Sequence, residues 1–205
     1  MSGAGSGIDV FISYRRGQLG QEWIKSFFRP ELDKYLELEI NRKPKIFWDE
    51  ESIDEGAIPR DEVLDSVRRA RCAVALLSVG YFTSPWCTFE WQNFKTRHDQ
   101  LGKPALFPLK WHDSEDYEKV FGDTAPKPSR FEKFCVTGPG WTRTEGYVDF
   151  QNAIARLASA ISRSVPYSWN PDPSWTIVGD PRTTQPLKSN SGEWHYRLGS
   201  EGTNG

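Results

Sequence analysis

The sequence predicts an α/β fold with a mainly parallel sheet, on three observations. Short apolar runs of strand length alternate with longer stretches of helical period, the pattern of strands joined by crossover helices. One run, residues 71–78 (RCAVALLS), is apolar almost throughout, as a strand covered on both faces is. At 205 residues the chain also has the length of one domain, or of one domain with an appendage.

The elements follow in order. Residues 8–13 (IDVFIS) are the first apolar run, and residues 14–20 a polar turn. Trp23, Phe27, Leu32 and Leu36 then recur at helical spacing, with Pro30 placed to start a second helical piece. Residues 45–48 (KIFW) read as a short strand, residues 49–59 as an acidic, glycine-containing loop. Val63, Leu64, Val67 and Ala70 mark an amphipathic helix that leads into the 71–78 strand. Ser84-Pro85 is an N-cap residue followed by proline at the first helical position. The helix it opens carries Trp86, Phe89 and Phe94 and runs to Leu101, where Gly102-Lys103-Pro104 stops it. Residues 105–110 are the next strand, and 111–133 are charged and irregular. Residues 134–136 are the expected fifth strand, and Phe150, Ile154, Leu157 and Ile161 form a last helical stripe. The domain is thus expected over residues 8–165, behind a flexible N-terminus of residues 1–7. Residues 166–205 hold five Pro, five Gly and the tryptophans Trp169, Trp175 and Trp194. They read either as an irregular appendage whose tryptophans clamp onto the domain or a partner, or as a disordered tail.

Composition narrows the function. Lysine and arginine number 26 against 28 aspartates and glutamates, a net charge of −2. That balance argues against general nucleic-acid binding and against a polybasic membrane binder. Nine Trp, seven Tyr and twelve Phe supply packing area that a hydrophobic content of 37% would otherwise lack. Cys72, Cys87 and Cys135 form no CxxC pair and suit a reducing compartment. His98, His112 and His195 are too scattered to suggest zinc. Residues 1–7 carry no apolar signal segment, and the aliphatic stretch 72–77 is far short of the ~20 residues that cross a bilayer. The expectation is a soluble, cytoplasmic protein with no membrane contact and no metal.

Glu90 is the residue most out of place. It lies four positions after Trp86 and four before Phe94, so the three share one helix face. A buried carboxylate is costly without partners, and positions three and four away hold Cys87, Trp86, Asn93 and Phe94, none of them basic. The helix start, about a turn and a half away, offers some help in keeping it charged. A carboxylate there is an active-site candidate; a tertiary salt bridge and a solvated edge position are the alternatives. Residues 49–55 hold five acidic side chains in seven, either a solvated connection or a weak magnesium candidate without calcium-loop spacing. Gly56 is placed for a backbone conformation that other residues avoid. Tyr14, Arg15 and Arg16 follow the first strand, at the end of an open sheet where ligands bind. The two arginines would hold a phosphate, stack on a base, or lie solvated. No GxGxxG or GxxxxGK[ST] loop follows that strand.

At these residues the chain resembles the TIR (Toll/interleukin-1 receptor) domain family. Asp9-Val10-Phe11-Ile12-Ser13-Tyr14 resembles the family's first strand. Phe47, Asp49, Ile53 and Gly56 resemble its BB-loop pattern, with Ile53 where leucine is usual. Ser78-x-x-Tyr81-x-x-Ser84-x-Trp86-Cys87-x-x-Glu90 resembles the signature of bacterial and plant members that cleave NAD. The resemblance implies a flavodoxin-like three-layer fold with a five-stranded parallel sheet, and Glu90 as the catalytic residue. It implies a cleft lined by Ser13, Tyr14, Arg15, Trp48, Asp49, Ser78, Tyr81, Ser84 and Trp86, with NAD as substrate and no further cofactor. Trp86 has a purely structural alternative, packing the helix onto the sheet. Self-association through TIR–TIR contacts, an upstream sensor or activator, and a defence role are implied in the same way. The function expected is NAD glycohydrolase activity, giving nicotinamide and ADP-ribose or a cyclised form. The alternatives are a non-catalytic TIR assembly module, and a related hydrolase or transferase acting on another nucleoside.

Overall fold

The computed structural model describes residues 7–49, 60–78, 80–112, 117, 126–138, 140–164, 177–184, 189–190 and 193–194. Five parallel strands form one sheet: β1 (Ile8–Tyr14), β2 (Ile46–Trp48), β3 (Ala70–Leu77), β4 (Leu106–Lys110) and β5 (Ser129–Arg130). Their order is β2-β1-β3-β4-β5, so β1 and β3 lie inside and are covered on both faces. Side chains alternate along β3, and the two halves of that run serve different layers. Cys72, Val74 and Leu76 face one core, Ala73, Ala75 and Leu77 the other.

The first layer is a long, interrupted helix. Helix α1 (Gln18–Trp23) passes through a π-helical turn at Ile24–Phe28 into α2 (Arg29–Ile40). Pro30 stands in the first turn of α2, where its missing N–H costs nothing and its fixed φ suits the helix. Beside α2 lies α5 (Glu145–Ser164), whose Phe150, Ile154, Leu157, Ala158 and Ile161 are buried. Trp23, fully buried, stacks on Phe28 and meets Phe150 edge-on. The second layer holds α3 (Arg60–Arg69) and α4 (Pro85–Leu101). The small Ala73 and Ala75 of β3 let the large Phe89, Trp91 and Phe94 of α4 approach the sheet. Gly102 then ends α4 in the left-handed conformation, φ +58. Buried Arg97 of α4 reaches back to the end of α3, donating to the carbonyls of Val67 (3.0 Å) and Ala70. It thereby satisfies two backbone acceptors where α3 gives way to β3.

The strand expected at 134–136 is displaced. The fifth strand is Ser129–Arg130, pairing with Leu109 and Lys110, and Glu132–Phe134 is a 3₁₀ turn. Phe131 and Phe134 are apolar because they plug the core beneath that turn, and Trp23 Nε1 donates to the Phe134 carbonyl at 2.6 Å. Of the C-terminal extension, Val178 is held from both sides by Asn93 of α4: its N–H donates to Asn93 Oδ1 (2.9 Å) and its carbonyl accepts from Nδ2 (3.1 Å). Ile177 packs against the same layer. Two-residue strands β6 (Ser189–Asn190) and β7 (Glu193–Trp194) pair antiparallel. Residues 1–6, the loop 50–59 with Ile53 and Gly56, the expected boundary at 165–166, and Trp169 and Trp175 lie outside the described residues.

Candidate active site

The site is built where β1 ends against the first turns of α4. Ser13 leaves β1 on the same side as Phe11, toward α4, because alternate strand residues share a face. On α4, Ser84 caps the helix by accepting the Cys87 N–H at 3.3 Å, with Pro85 at the first position. That start fixes the helix rotation and turns Glu90 inward. The two side chains meet: the Ser13 hydroxyl donates to Glu90 Oε2 at 2.5 Å. Ser13 Oγ also lies 2.5 Å from the Tyr81 hydroxyl. Since the serine proton goes to Glu90, the tyrosine proton points at Ser13, giving a chain from Tyr81 through Ser13 to the carboxylate. All three are buried, Glu90 at 8% exposure, Ser13 at 2% and Tyr81 at 0%.

Electrostatics follow from that burial. Glu90 has no ion-pair partner among the described residues, and desolvation pushes its pKa from 4.5 up to about 8. The Ser13 hydrogen bond works against the rise, the Asp49 charge adds to it, and Arg16 relieves it. The field of the α4 N-terminus fades within its first turn, and Glu90, the sixth residue of the helix, gets too little from it to stay ionised. Burial likewise pushes the Tyr81 hydroxyl well above its ordinary value. Asp49 follows β2 and is gripped by Arg16, whose Nε donates to Asp49 Oδ2 at 2.7 Å. The Tyr14 hydroxyl donates to the Asp49 carbonyl at 2.6 Å. Asp49 Oδ1 is buried without a hydrogen-bond partner among the described residues, an acceptor left open on the group whose charge influences Glu90.

Not every expected residue reaches this cluster. Tyr14 and Trp48 are buried in the opposite layer with ring centroids 6.4 Å apart; the Tyr14 hydroxyl reaches the Asp49 carbonyl, and burial, helped by the Glu90 charge, pushes its pKa up. Trp86 is half-buried, meets Phe89 edge-on and packs against the α4 core. The Ser78 carbonyl accepts the Tyr81 N–H at 2.9 Å and closes the turn that delivers Tyr81. Arg15 lies across Gly80, in space that any β-carbon at position 80 would occupy. Gly80 is a residue the sequence reading passed over; it falls on a variable position inside the 78–90 motif, and only the strand-end arginine opposite it gives it a role. Arg16, expected beside Arg15 as a phosphate or base contact, pairs with Asp49 instead. Among the described residues no three His, Cys, Asp or Glu side chains are grouped to hold a metal ion. No helix among them is long and apolar enough to cross a membrane.

A parallel five-stranded sheet in the order 2-1-3-4-5, with a buried carboxylate under its carboxyl end, defines a flavodoxin-like domain with a candidate site at the position such folds use. The family model for the TIR domain matches residues 10–158, more than half of the chain, and the chain belongs to the TIR domain family. It is similar to the disease resistance protein TAO1 of Arabidopsis thaliana, 26% identical over 129 residues. That match takes in 59% of this chain but 11% of the plant protein. The chain thus spans about a tenth of that relative's length. Among solved structures it is similar to the TIR domain of the Toll-related receptor TRR-2 from Hydra magnipapillata, at 14% identity and a TM-score of 0.44. That alignment covers 72% of this chain and 98% of the Hydra one. The TIR domains of the activated Roq1 resistosome, which directly recognises the pathogen effector XopQ, align at 22% identity and a TM-score of 0.38. They cover 77% of this chain and 82% of theirs.

Proposed function

We propose that this TIR domain is an NAD glycohydrolase, with Glu90 as its catalytic carboxylate and self-assembly as its activating step. The observation that carries the reading is the Tyr81–Ser13–Glu90 chain, a lone carboxylate held in place by hydroxyls and left without an ion-pair partner among the described residues. NAD supplies that partner. Its nicotinamide ring is a pyridinium cation, so binding it beside Glu90 draws the carboxyl toward its ionised form and releases a proton. The glycosidic bond then breaks with its electron pair passing to nicotinamide, which leaves neutral and needs no acid. The ribosyl cation is stabilised by the Glu90 charge, as an oxocarbenium centre is in glycoside hydrolysis. Water adds to it and loses a proton, and a carboxylate with a pKa of about 8 is well placed to accept that proton near neutral pH. The open Asp49 Oδ1 offers an acceptor to a ribose hydroxyl or to the carboxamide. Arg15 over Gly80 offers a cation to the diphosphate.

The test is nicotinamide release from NAD by concentrated protein, beside Glu90→Ala. Release by the native chain, lost in a folded variant, supports the proposal; release by both moves the chemistry off Glu90. The competing reading is a non-catalytic TIR assembly module working in defence signalling. A carboxyl that burial keeps protonated fits that reading too, and silence from assembled native protein would favour it.

A further inference from the structure

The geometry points to a second ligand site, a groove between β4, β5 and α5 that takes a nucleoside diphosphate or a similar phosphate-bearing nucleotide. The groove has a volume of about 540 Å³, within the range of small-molecule pockets. Its existence follows from the shortness of β5, which pairs only with Leu109 and Lys110. Leu106, Phe107 and Pro108 of β4 therefore have no strand beside them on that side among the described residues, and α5 closes the space with Ala153, Leu157 and Ala160.

The lining has two chemistries. Its floor is apolar and partly planar, with Phe107, Pro108, Pro126 and Leu157, a surface on which a base stacks. Its rim carries Lys127, Arg130 and Arg156, with no aspartate or glutamate among the described lining residues. In a chain of net charge −2 that is a local reversal of sign. All three side chains are exposed, and among the described residues no ion pair or side-chain hydrogen bond engages them, whereas Arg42 and Arg71 are held by Asp9. Unpaired cations converging on a groove are what a diphosphate requires, since arginine forks and lysine satisfy several phosphate oxygens at once. His98 completes the wall: its Nδ1 accepts the Ala105 N–H at 3.3 Å, which leaves Nε2 to carry the proton and donate to a ligand. Pro108, with no N–H, makes the open β4 edge a poor template for an added strand, which favours a small ligand over a peptide. No lining residue belongs to the Glu90 site, and the inference does not depend on NAD cleavage.

Calorimetric titration of the full chain with ADP, adenosine and inorganic pyrophosphate tests it. ADP should bind, pyrophosphate more weakly, and adenosine too weakly to measure. Arg156→Glu and Lys127→Glu should each weaken ADP about tenfold or more, as loss of a charge-assisted hydrogen bond does, with thermal melting unchanged. Glu90→Ala should leave the ADP affinity as it was. Absence of ADP binding, or affinity indifferent to both charge reversals, would overturn the proposal. Equal affinity for pyrophosphate and ADP would reduce the site to a phosphate contact and overturn the nucleotide assignment. Charge reversals that dissolve a concentration-dependent assembly while sparing ADP would assign the groove to a second copy of the chain instead.

Discussion

Replacing Glu90 by glutamine removes a charge and keeps the shape, and the stability it returns should depend on pH in a calculable way. In the native fold Glu90 holds its proton up to about pH 8, whereas in the unfolded chain it loses it near 4.5. Between those values the folded state binds one proton more than the unfolded state, so native stability falls as pH rises. The fall is about 1.4 kcal/mol per pH unit, which comes to about 5 kcal/mol across the interval. It is absent below pH 4.5 and complete above pH 8. Glutamine does not titrate, and its side-chain oxygen still accepts from Ser13. Glu90→Gln should therefore match the native protein near pH 4.5, exceed it by about 3 kcal/mol at pH 7, and gain little beyond pH 8. Urea denaturation of both proteins at pH 5, 6, 7 and 8 measures the difference directly, because every other titrating group is common to both and cancels. A gap that stays constant with pH would refute the argument, since it would mean that Glu90 titrates alike in the folded and unfolded chain.

Three further substitutions probe the same architecture. Ser13→Ala removes the hydrogen bond that holds the Glu90 pKa down. It should move the rise of kcat/KM for nicotinamide release to higher pH, and the pH–rate profile shows this. Gly80→Ala forces Arg15 out of the space it fills; KM for NAD should rise several-fold with little change in kcat, and steady-state kinetics separates the two. Arg97→Met keeps much of the buried volume but orphans the Val67 and Ala70 carbonyls. It should cost about 2–4 kcal/mol in urea denaturation, since an unsatisfied buried acceptor costs about 1–3 kcal/mol.

Much of this arrangement is legible in the sequence where local physics decides it. The 71–78 run declares a strand buried on both faces, and its alternate residues do divide between two cores. Ser84-Pro85 declares the start of α4, and the spacing of Trp86, Glu90 and Phe94 declares that Glu90 turns inward. What the sequence withholds is the partner. Ser13 is 77 positions away, and its meeting with Glu90 depends on where α4 crosses β1. The fifth strand eludes pattern reading for a related reason. Ser129 and Arg130 are exposed and carry no apolar alternation; the open edge of β4 makes them a strand, while Phe131 and Phe134 advertise core packing that resembles a strand. Trp48 shows how register adds to motif position: paired beside Ile12, it is buried in the layer of α2.

Asp49 connects the carboxylate to the rest of the molecule. Its charge raises the Glu90 pKa, and Arg16, which grips it, lowers that pKa. Asp49 directly precedes residues 50–59 in the sequence, so a contact that displaces Asp49 would shift the proton on Glu90 without touching Glu90. Assembly through that segment would then act on catalysis by electrostatics: draw Asp49 away and the carboxyl ionises at lower pH; draw Arg16 away and it stays protonated longer. Asp49→Asn imitates the first case. It removes the repelling charge while the Arg16 charge still favours ionised Glu90, so the rise of kcat/KM should move to lower pH than in the native protein. In a Ser13→Ala background the same substitution should still move it acidward, because the charge acts on Glu90 directly. An unmoved inflection would show that Asp49 does not act on the carboxylate and would remove this electrostatic route to the site.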